Sequence, residues 1–246
     1  MRKYNMKKII LAFAVVVSCF VMFSGLALAN NIEDDKGCLN DTITTRRETF
    51  YNMKNNPQES DKYFHEYLKK LRNIIQYVDS DIQYPDEEIK NKRALYSKID
   101  IMFDCLNEFY YPSVDYDSIL KNFAPVLSKA YKDYLKMMKT QKYTTMEDQL
   151  IIPFDELRKR IIAIEWFIEK NPEFVEIDSL HEDLADNLRI YMDGIGTSDM
   201  AEYFRAVDER TKQEIIRSYK LFLKDDWNKR FDFYRIIQRN YEEISQ

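Results

Sequence analysis

Residues 153–170 read PFDELRKRIIAIEWFIEK, and this stretch shows the pattern on which the predicted fold depends. Its apolar side chains recur at steps of three and four residues: Phe154, Leu157, Ile161, Ile164 and Ile168. That spacing places them on one face of an α-helix, which turns once in about 3.6 residues. Pro153 stands where a first-turn proline is tolerated, because the N–H that it lacks has no partner there. The stretch therefore predicts a helix that buries one face.

The same spacing runs along nearly the whole chain, and no stretch of comparable length alternates between apolar and polar residues. Ile89, Tyr96, Phe103 and Tyr110, for example, stand seven residues apart, as they would on one face of a long helix. The sequence therefore predicts an all-α protein, built as an antiparallel helical bundle or an irregular stack of helical hairpins. We predict about seven helices: 42–54, 58–78, 86–110, 116–141, 153–170, 179–193 and 199–244, the last broken near Asp208 or Asp225.

Helix boundary signals accompany these segments. Ser179 and Glu182 match a capping box, in which a hydroxyl and a carboxylate accept hydrogen bonds from free N–H groups at the helix start. Gly194 is placed to end a helix and Asp199 to begin the next. Pro125 is expected to kink or begin a helix. Because the connections are short, we predict a single helical domain over 42–246.

The composition excludes several classes of function. The chain contains only four glycines in 246 residues. Phosphate-binding loops and nucleophile elbows use glycine, because they need left-handed backbone or a close approach. Without residues 1–29, 33 basic residues face 42 acidic ones, a formal charge of −9. Nucleic acid is therefore not an expected partner, since binding it needs a basic surface.

The N-terminus has the order of a signal peptide. Residues 1–8 carry four basic side chains and no acid, an apolar run follows, and small residues precede the cleavage position. We expect residues 1–29 to be removed by cleavage between Ala29 and Asn30, leaving a flexible tether over 30–41. The mature protein would be periplasmic or secreted and would keep no stable transmembrane helix.

Two other interpretations of the N-terminus stay open. Val16, Val17 and Ser18 before Cys19 look like a lipobox, in which the cysteine is acylated and becomes the new N-terminus, although the residues after Cys19 are unusually apolar. Residues 9–29 also approach the roughly 20 apolar residues that cross a bilayer, so they could stay as an anchor. In every case the basic end is expected inside and the rest of the chain outside the cytoplasm.

Cleavage would leave two cysteines, Cys38 and Cys105. In an oxidising compartment they are candidates for a disulfide, which would close a long loop and contribute about 4 kcal/mol in the chain-entropy model. The alternative is a buried free thiol at Cys105, which lies in the apolar run IDIMFDCL.

Residues with catalytic or metal-binding chemistry are few. His65 and His181 are the two histidines; each is followed by glutamate, but neither continues into the zinc-binding H-E-x-x-H motif. The acids near His181 are those expected at a helix N-terminus. No serine, cysteine or carboxylate pair stands in a recognisable catalytic pattern. The sequence predicts no catalytic residue, no metal site and no cofactor.

The helix predicted over 116–141 carries lysines at steps of three and four residues: Lys129, Lys132, Lys136 and Lys139. This lysine ridge lies opposite the apolar stripe that contains Phe123 and Tyr134, and Asp133 is the one acidic residue between 121 and 142. On an acidic chain the ridge is a candidate surface for anionic lipid headgroups, an acidic cell-wall polymer or an acidic protein. The alternative is an ordinary solvated face.

These features favour a non-catalytic extracytoplasmic protein that acts through protein or cell-envelope binding, with the lysine ridge and tyrosine-rich helix edges as candidate surfaces. The partner and the oligomeric state stay open. Two alternatives come from other classes: a carboxylate-dependent hydrolase acting on cell-wall or other extracytoplasmic substrate, and a helical carrier of an apolar ligand. Desolvated acids converging in a cleft would favour the hydrolase, and a large apolar cavity inside the helices would favour the carrier.

Overall fold

The computed structural model describes residues 37, 39–78, 86–106, 109–141, 143–146 and 149–245. It is mostly helical, with 74% helix, few strands and ten α-helices in this described part, which confirms the predicted helical class. The chain divides into two compact units, one up to Asp115 and one from Tyr116 onward, and each buries its own apolar side chains. The single domain predicted over 42–246 stays a prediction.

The described residues of the first unit form three α-helices: α1 (residues 39–55), α2 (Ser60–Tyr77) and α3 (Asp86–Tyr96). α1 already includes residues 39–41, which the sequence assigned to the tether. In the sequence of α2, Phe64, Tyr67 and Leu71 recur at steps of three and four residues, and each of them is at most 1% exposed. The core of this unit therefore forms along the face that the sequence indicated.

The structure corrects the helix predicted over 86–110. α3 ends at Tyr96, and a short 3₁₀ turn at Ser97–Ile99 follows it. The chain then forms an antiparallel hairpin of β1 (Ile101–Leu106) and β2 (Phe109–Val114). The second half of the predicted helix is therefore sheet.

The spacing of seven residues predicted one long helix, but the residues with this spacing belong to separate elements. Ile89 in α3, Tyr96 at its end and Phe103 in β1 are all buried, and the rings of Tyr96 and Phe103 meet edge to face with centroids 5.5 Å apart. Pro112 is tolerated in β2, because a strand in a two-stranded sheet keeps one edge that needs no N–H donor. These side chains are therefore buried where α3 packs against β1, and not along one continuous helix.

The helix predicted over 116–141 divides around Pro125 into α4 (Tyr116–Phe123) and α5 (Lys129–Met138). Ser128 caps α5, because its Oγ accepts a hydrogen bond from the backbone N–H of Tyr131 at 3.1 Å. A short hairpin follows, which the sequence did not predict: β3 (Thr145–Met146) and β4 (Gln149–Leu150).

Five helices complete the second unit: α6 (Phe154–Lys170), α7 (Ile177–Asp193), α8 (Met200–Ala206), α9 (Glu209–Lys224) and α10 (Tyr234–Ile244). The helix predicted over 199–244 is thus broken at both candidate positions. Asp208 accepts a hydrogen bond from the N–H of Thr211 at 2.8 Å, and Asp225 accepts one from the N–H of Trp227 at 3.0 Å. Each aspartate begins a new segment by capping it.

The apolar stripe of α6 is buried as predicted. Phe154, Leu157, Ile161 and Ile164 are each at most 1% exposed, whereas Ile168, the last residue of the stripe, is half-buried. α6 packs against α7 and α9, and the ring centroid of Phe154 lies 5.3 Å from that of Tyr191 in α7. This face of α6 therefore anchors the core of the second unit.

The boundaries of α7 agree with the sequence at one end only. α7 begins at Ile177, whose N–H donates to the carbonyl of Phe174 at 3.0 Å, so Ser179 lies inside the helix and does not cap it. Gly194 does end the helix, with φ of 87°. Asp199 caps α8, where its carboxylate accepts from the N–H of Ala201 at 2.9 Å.

The predicted leader, its cleavage position between Ala29 and Asn30, Cys19 and Cys38 lie outside the described residues. No helix in the described ranges is long and apolar enough to cross a membrane. Cys105 is exposed, because it lies near the end of β1, beyond the buried Phe103. The prediction of a buried thiol is therefore wrong, and the Cys38–Cys105 disulfide stays a prediction.

Candidate binding site

The lysine ridge lies on α5, where three of its side chains are exposed and that of Lys132 is half-buried. Lys136 Nζ lies 3.8 Å from Asp133 Oδ1, and Lys139 Nζ lies 2.6 Å from Asp117 Oδ1. Lys129 and Lys132 have no acidic partner among the described residues. Exposed pairs of this kind are weak, so most of the positive charge of the ridge stays available.

The outer faces of α5 and α6 form an open pocket of about 420 Å³. Its apolar lining consists of Met137 from α5 and of Ile162, Ala163, Trp166 and Phe167 from α6. Its charged lining consists of Asp133, Arg158, Lys159 and Asp225. We call this the α5–α6 pocket. It places apolar surface next to the lysine ridge, because Asp133 lies between Lys132 and Lys136 in α5.

α6 contributes to the pocket because it carries a second apolar face outside its buried stripe. Ile162 and Trp166 are four residues apart and therefore adjacent on the helix surface, with Ala163 beside them. Trp166 is 43% exposed. Lys170 Nζ lies 3.7 Å from the centroid of the Trp166 ring, a cation–π contact that covers one face of the indole.

Phe167 and Met137 are nearly buried side chains at the inner side of the pocket, 1% and 9% exposed. The ring of Phe167 lies 5.9 Å from that of Tyr134 and 5.0 Å from that of Phe174, measured between centroids. These aromatic contacts join α5 to α6 and hold the inner wall in place. A ligand therefore meets a preformed apolar surface, which lowers the entropic cost of binding.

Asp155 holds the two cations on the α6 side of the pocket. Its Oδ1 accepts from Arg158 Nη2 at 2.8 Å, and its Oδ2 accepts from Lys159 Nζ at 3.0 Å. Partial burial alone would raise the pKa of Asp155, but the hydrogen bonds from Lys159 and Arg158 outweigh it and lower that pKa below its usual value. Two cations share one carboxylate, so this side of the pocket also keeps positive charge.

Asp225 reaches the pocket from the end of α9. It is the last residue before the 3₁₀ segment Asp226–Arg230, and its Oδ1 accepts from the N–H of Trp227. Its carboxylate therefore caps this segment. Together with Asp133 it supplies two negative charges to the lining, opposite the two positive charges of Arg158 and Lys159.

Glu165 is the residue that bears on the hydrolase alternative. It is half-buried in α6, and burial raises the pKa of its carboxyl; Asp232 adds to the rise, while His181 and Arg230 oppose it. Glu165 does not line the α5–α6 pocket. In a cleft built for acid–base catalysis, a carboxyl with a raised pKa would line the pocket. Glu165 does not.

The two histidines lie in different helices, His65 in α2 and His181 in α7. Within the described residues, no group of three or more His, Cys, Asp or Glu side chains could hold a metal ion. The acids near His181 lie along the first turns of α7, as expected for side chains that favour a helix N-terminus.

Fold and geometry together define a helical protein with an open apolar pocket bordered by lysines. No protein-family model matches the chain, and neither a curated protein nor a solved structure matches it.

The sequence singled out the lysines of this site and missed its apolar part. The stripe of α6 predicted one buried face, which includes Phe154 and Ile161. Ile162, Ala163 and Trp166 are also apolar but lie outside this stripe. A helix with apolar residues on more than one side buries a second face or presents it to a partner. That signal was available, but the contribution of Met137 requires α5 to pack beside α6, which the sequence does not state.

Proposed function

We propose that this chain is a non-catalytic, extracytoplasmic helical protein that works by binding a protein or an anionic component of the cell envelope. The binding surface is the α5–α6 pocket together with the lysine ridge. The export signal over residues 1–29 supports the location, with a retained anchor over 9–29 or an acylated Cys19 as the alternatives.

The observation that carries the proposal is Trp166, a large ring that is 43% exposed in an open apolar pocket. Exposed apolar surface is costly for a monomer and commonly marks a binding site. Tryptophan in particular is enriched where partners bind, because it offers a large rigid contact area. The lysine ridge beside it adds a cluster of positive charge to a chain that is acidic overall.

The two alternative functions have weaker support. A carrier of an apolar ligand needs an enclosed cavity, and the α5–α6 pocket opens to solvent. The carboxylate-dependent hydrolase would need paired carboxylates with separated pKa values, and Glu165, whose pKa is raised, lies outside the pocket lining.

Charge reversal of the ridge tests the proposal. We expect the full-length variant Lys129→Glu/Lys136→Glu to bind isolated cell envelopes of the source organism about ten-fold more weakly than the native chain, measured by co-sedimentation. The matched control is Lys62→Glu/Lys69→Glu, because these two lysines are also exposed and seven residues apart on one helix. Equal binding by both variants would contradict the proposal.

A further inference from the structure

We propose that the partner of the α5–α6 pocket is an acidic protein segment that inserts a large apolar side chain. The apolar side chain lies against Ile162 and Trp166, and carboxylates of the same segment pair with Lys129 and Lys136. This inference rests on the binding function proposed above and names the chemistry of the partner.

The pocket has the size and lining for side chains of a partner. Its volume of about 420 Å³ falls in the range of roughly 300–1,000 Å³ in which proteins bind compact groups. Ile162, Ala163 and Trp166 supply apolar surface, and the packed ring of Phe167 fixes the inner wall. One or two large apolar side chains, spaced as on a helix or strand, fill such a space.

The charges on the two long sides of the pocket select an acidic segment. On the α5 side, the lysines next to the pocket, Lys129, Lys132 and Lys136, outnumber the single acidic residue of α5, Asp133, which lines the pocket. The Lys136–Asp133 pair is long, at 3.8 Å, and the Lys136 side chain is 66% exposed, so a carboxylate of the partner can replace it at little cost.

On the α6 side, Arg158 and Lys159 share the carboxylate of Asp155. With the ridge lysines counted, each side has more cations than anions, and Asp225 adds one anion at one end of the pocket. The chain as a whole has a formal charge of −5. A segment with acidic residues on both sides of its apolar anchor complements this arrangement, and complementary charges also speed association.

The concave shape favours a protein segment over a membrane surface. Peripheral proteins bind a bilayer by burying protruding apolar side chains in it, with basic residues above them. Trp166 instead lies in a pocket with Lys170 over its ring. A single anchor that enters the pocket matches this geometry better than a flat array of headgroups.

Selection of displayed random peptides on the immobilised full-length chain tests the inference. We expect the selected peptides to be acidic and to share a large apolar residue. Ala163→Leu, which fills the pocket, should weaken the best synthetic peptide about ten-fold in fluorescence anisotropy. The matched control Ala185→Leu changes an exposed alanine near the middle of α7 and should bind as the native chain does.

Several results would overturn the inference. The selection could give no consensus, or peptides without acidic or apolar residues. Ala163→Leu and Ala185→Leu could bind equally while both melt like the native chain. The native chain could also bind only to vesicles of anionic phospholipid. Self-association of the native chain in analytical ultracentrifugation that Ala163→Leu abolishes would assign the pocket to a second copy. If envelope binding depends on Lys129 and Lys136 but not on Ala163, the proposed function stands and this inference fails.

Discussion

Asp100 is completely buried and has a left-handed backbone, with φ of 58°. Its carboxylate accepts hydrogen bonds from Arg46 Nε at 2.6 Å, Arg46 Nη2 at 3.0 Å and Tyr67 Oη at 2.9 Å. Burial, and secondarily the charge of Asp100, raises the pKa of Tyr67 far above its usual value, so this hydroxyl stays protonated and can donate. The three donors offset the cost of burying the charge.

We expect Asp100→Asn to lower the free energy of unfolding by about 3 kcal/mol, because an amide cannot neutralise Arg46 or accept from all three donors. Asparagine tolerates the left-handed backbone, so the loss of stability measures the contribution of the buried Asp100–Arg46 pair. The measurement is urea unfolding followed by far-ultraviolet circular dichroism. Asp41→Asn is the control, since Asp41 pairs with Lys70 while 70% exposed, and should change stability little. Similar losses in both variants would contradict this account.

The connection between α7 and α8 depends on the backbone of Gly194. Its φ of 87° and ψ of −174° fall in a region that is open almost only to glycine. A Cβ at this position would lie 2.2 Å from Cγ of Tyr203 in α8. Gly196, two residues later, also has positive φ, at 71°, but a Cβ there would meet nothing within 4 Å. Substitutions at the two positions therefore distinguish the cost of backbone strain from the cost of steric overlap.

We expect Gly196→Ala to cost about 1 kcal/mol through backbone strain alone. Gly194→Ala should cost at least about 3 kcal/mol, because overlap with Tyr203 adds to the strain. Thermal unfolding of the two variants measures the difference. Replacing Tyr203 by alanine as well should recover part of the stability lost in Gly194→Ala; equal melting temperatures for the two glycine variants would count against the overlap.

The entire chain is acidic, with 42 acidic and 37 basic residues, yet two of its segments have a clear excess of basic residues: the first eight residues and the segment 121–142, which carries the lysine ridge. The first segment bears on export, because basic residues before an apolar run keep the N-terminus inside. The second bears on binding, because the ridge borders the α5–α6 pocket. The proposed function requires both, since an envelope-binding surface is useful only on the outer side.

We expect the native protein to begin at Asn30, as measured by the intact mass of the purified mature chain. Ala29→Leu should retain the leader, because a bulky side chain replaces the small residue before the cleavage position. Ala12→Leu adds the same side chain within the apolar run and should be processed normally. If the chain begins at an acylated Cys19, the lipobox interpretation is correct. If it retains Met1, the anchor interpretation is correct.

The sequence alone determined the helical class, the buried faces of α2 and α6, and the ends of helices at Gly194 and before Asp208 and Asp225. Helical spacing and capping are local properties, so residues a few positions apart specify them. The lysine ridge was predicted for the same reason.

Only the tertiary structure decided the β1–β2 hairpin and the apolar part of the pocket. In the hairpin, Ile101 pairs with Val114, and the buried Phe103 lies against Tyr96. In the pocket, Met137 and Trp166 come from different helices. Both features depend on which distant segments pack together, and packing between segments overrides local spacing where it buries more apolar surface.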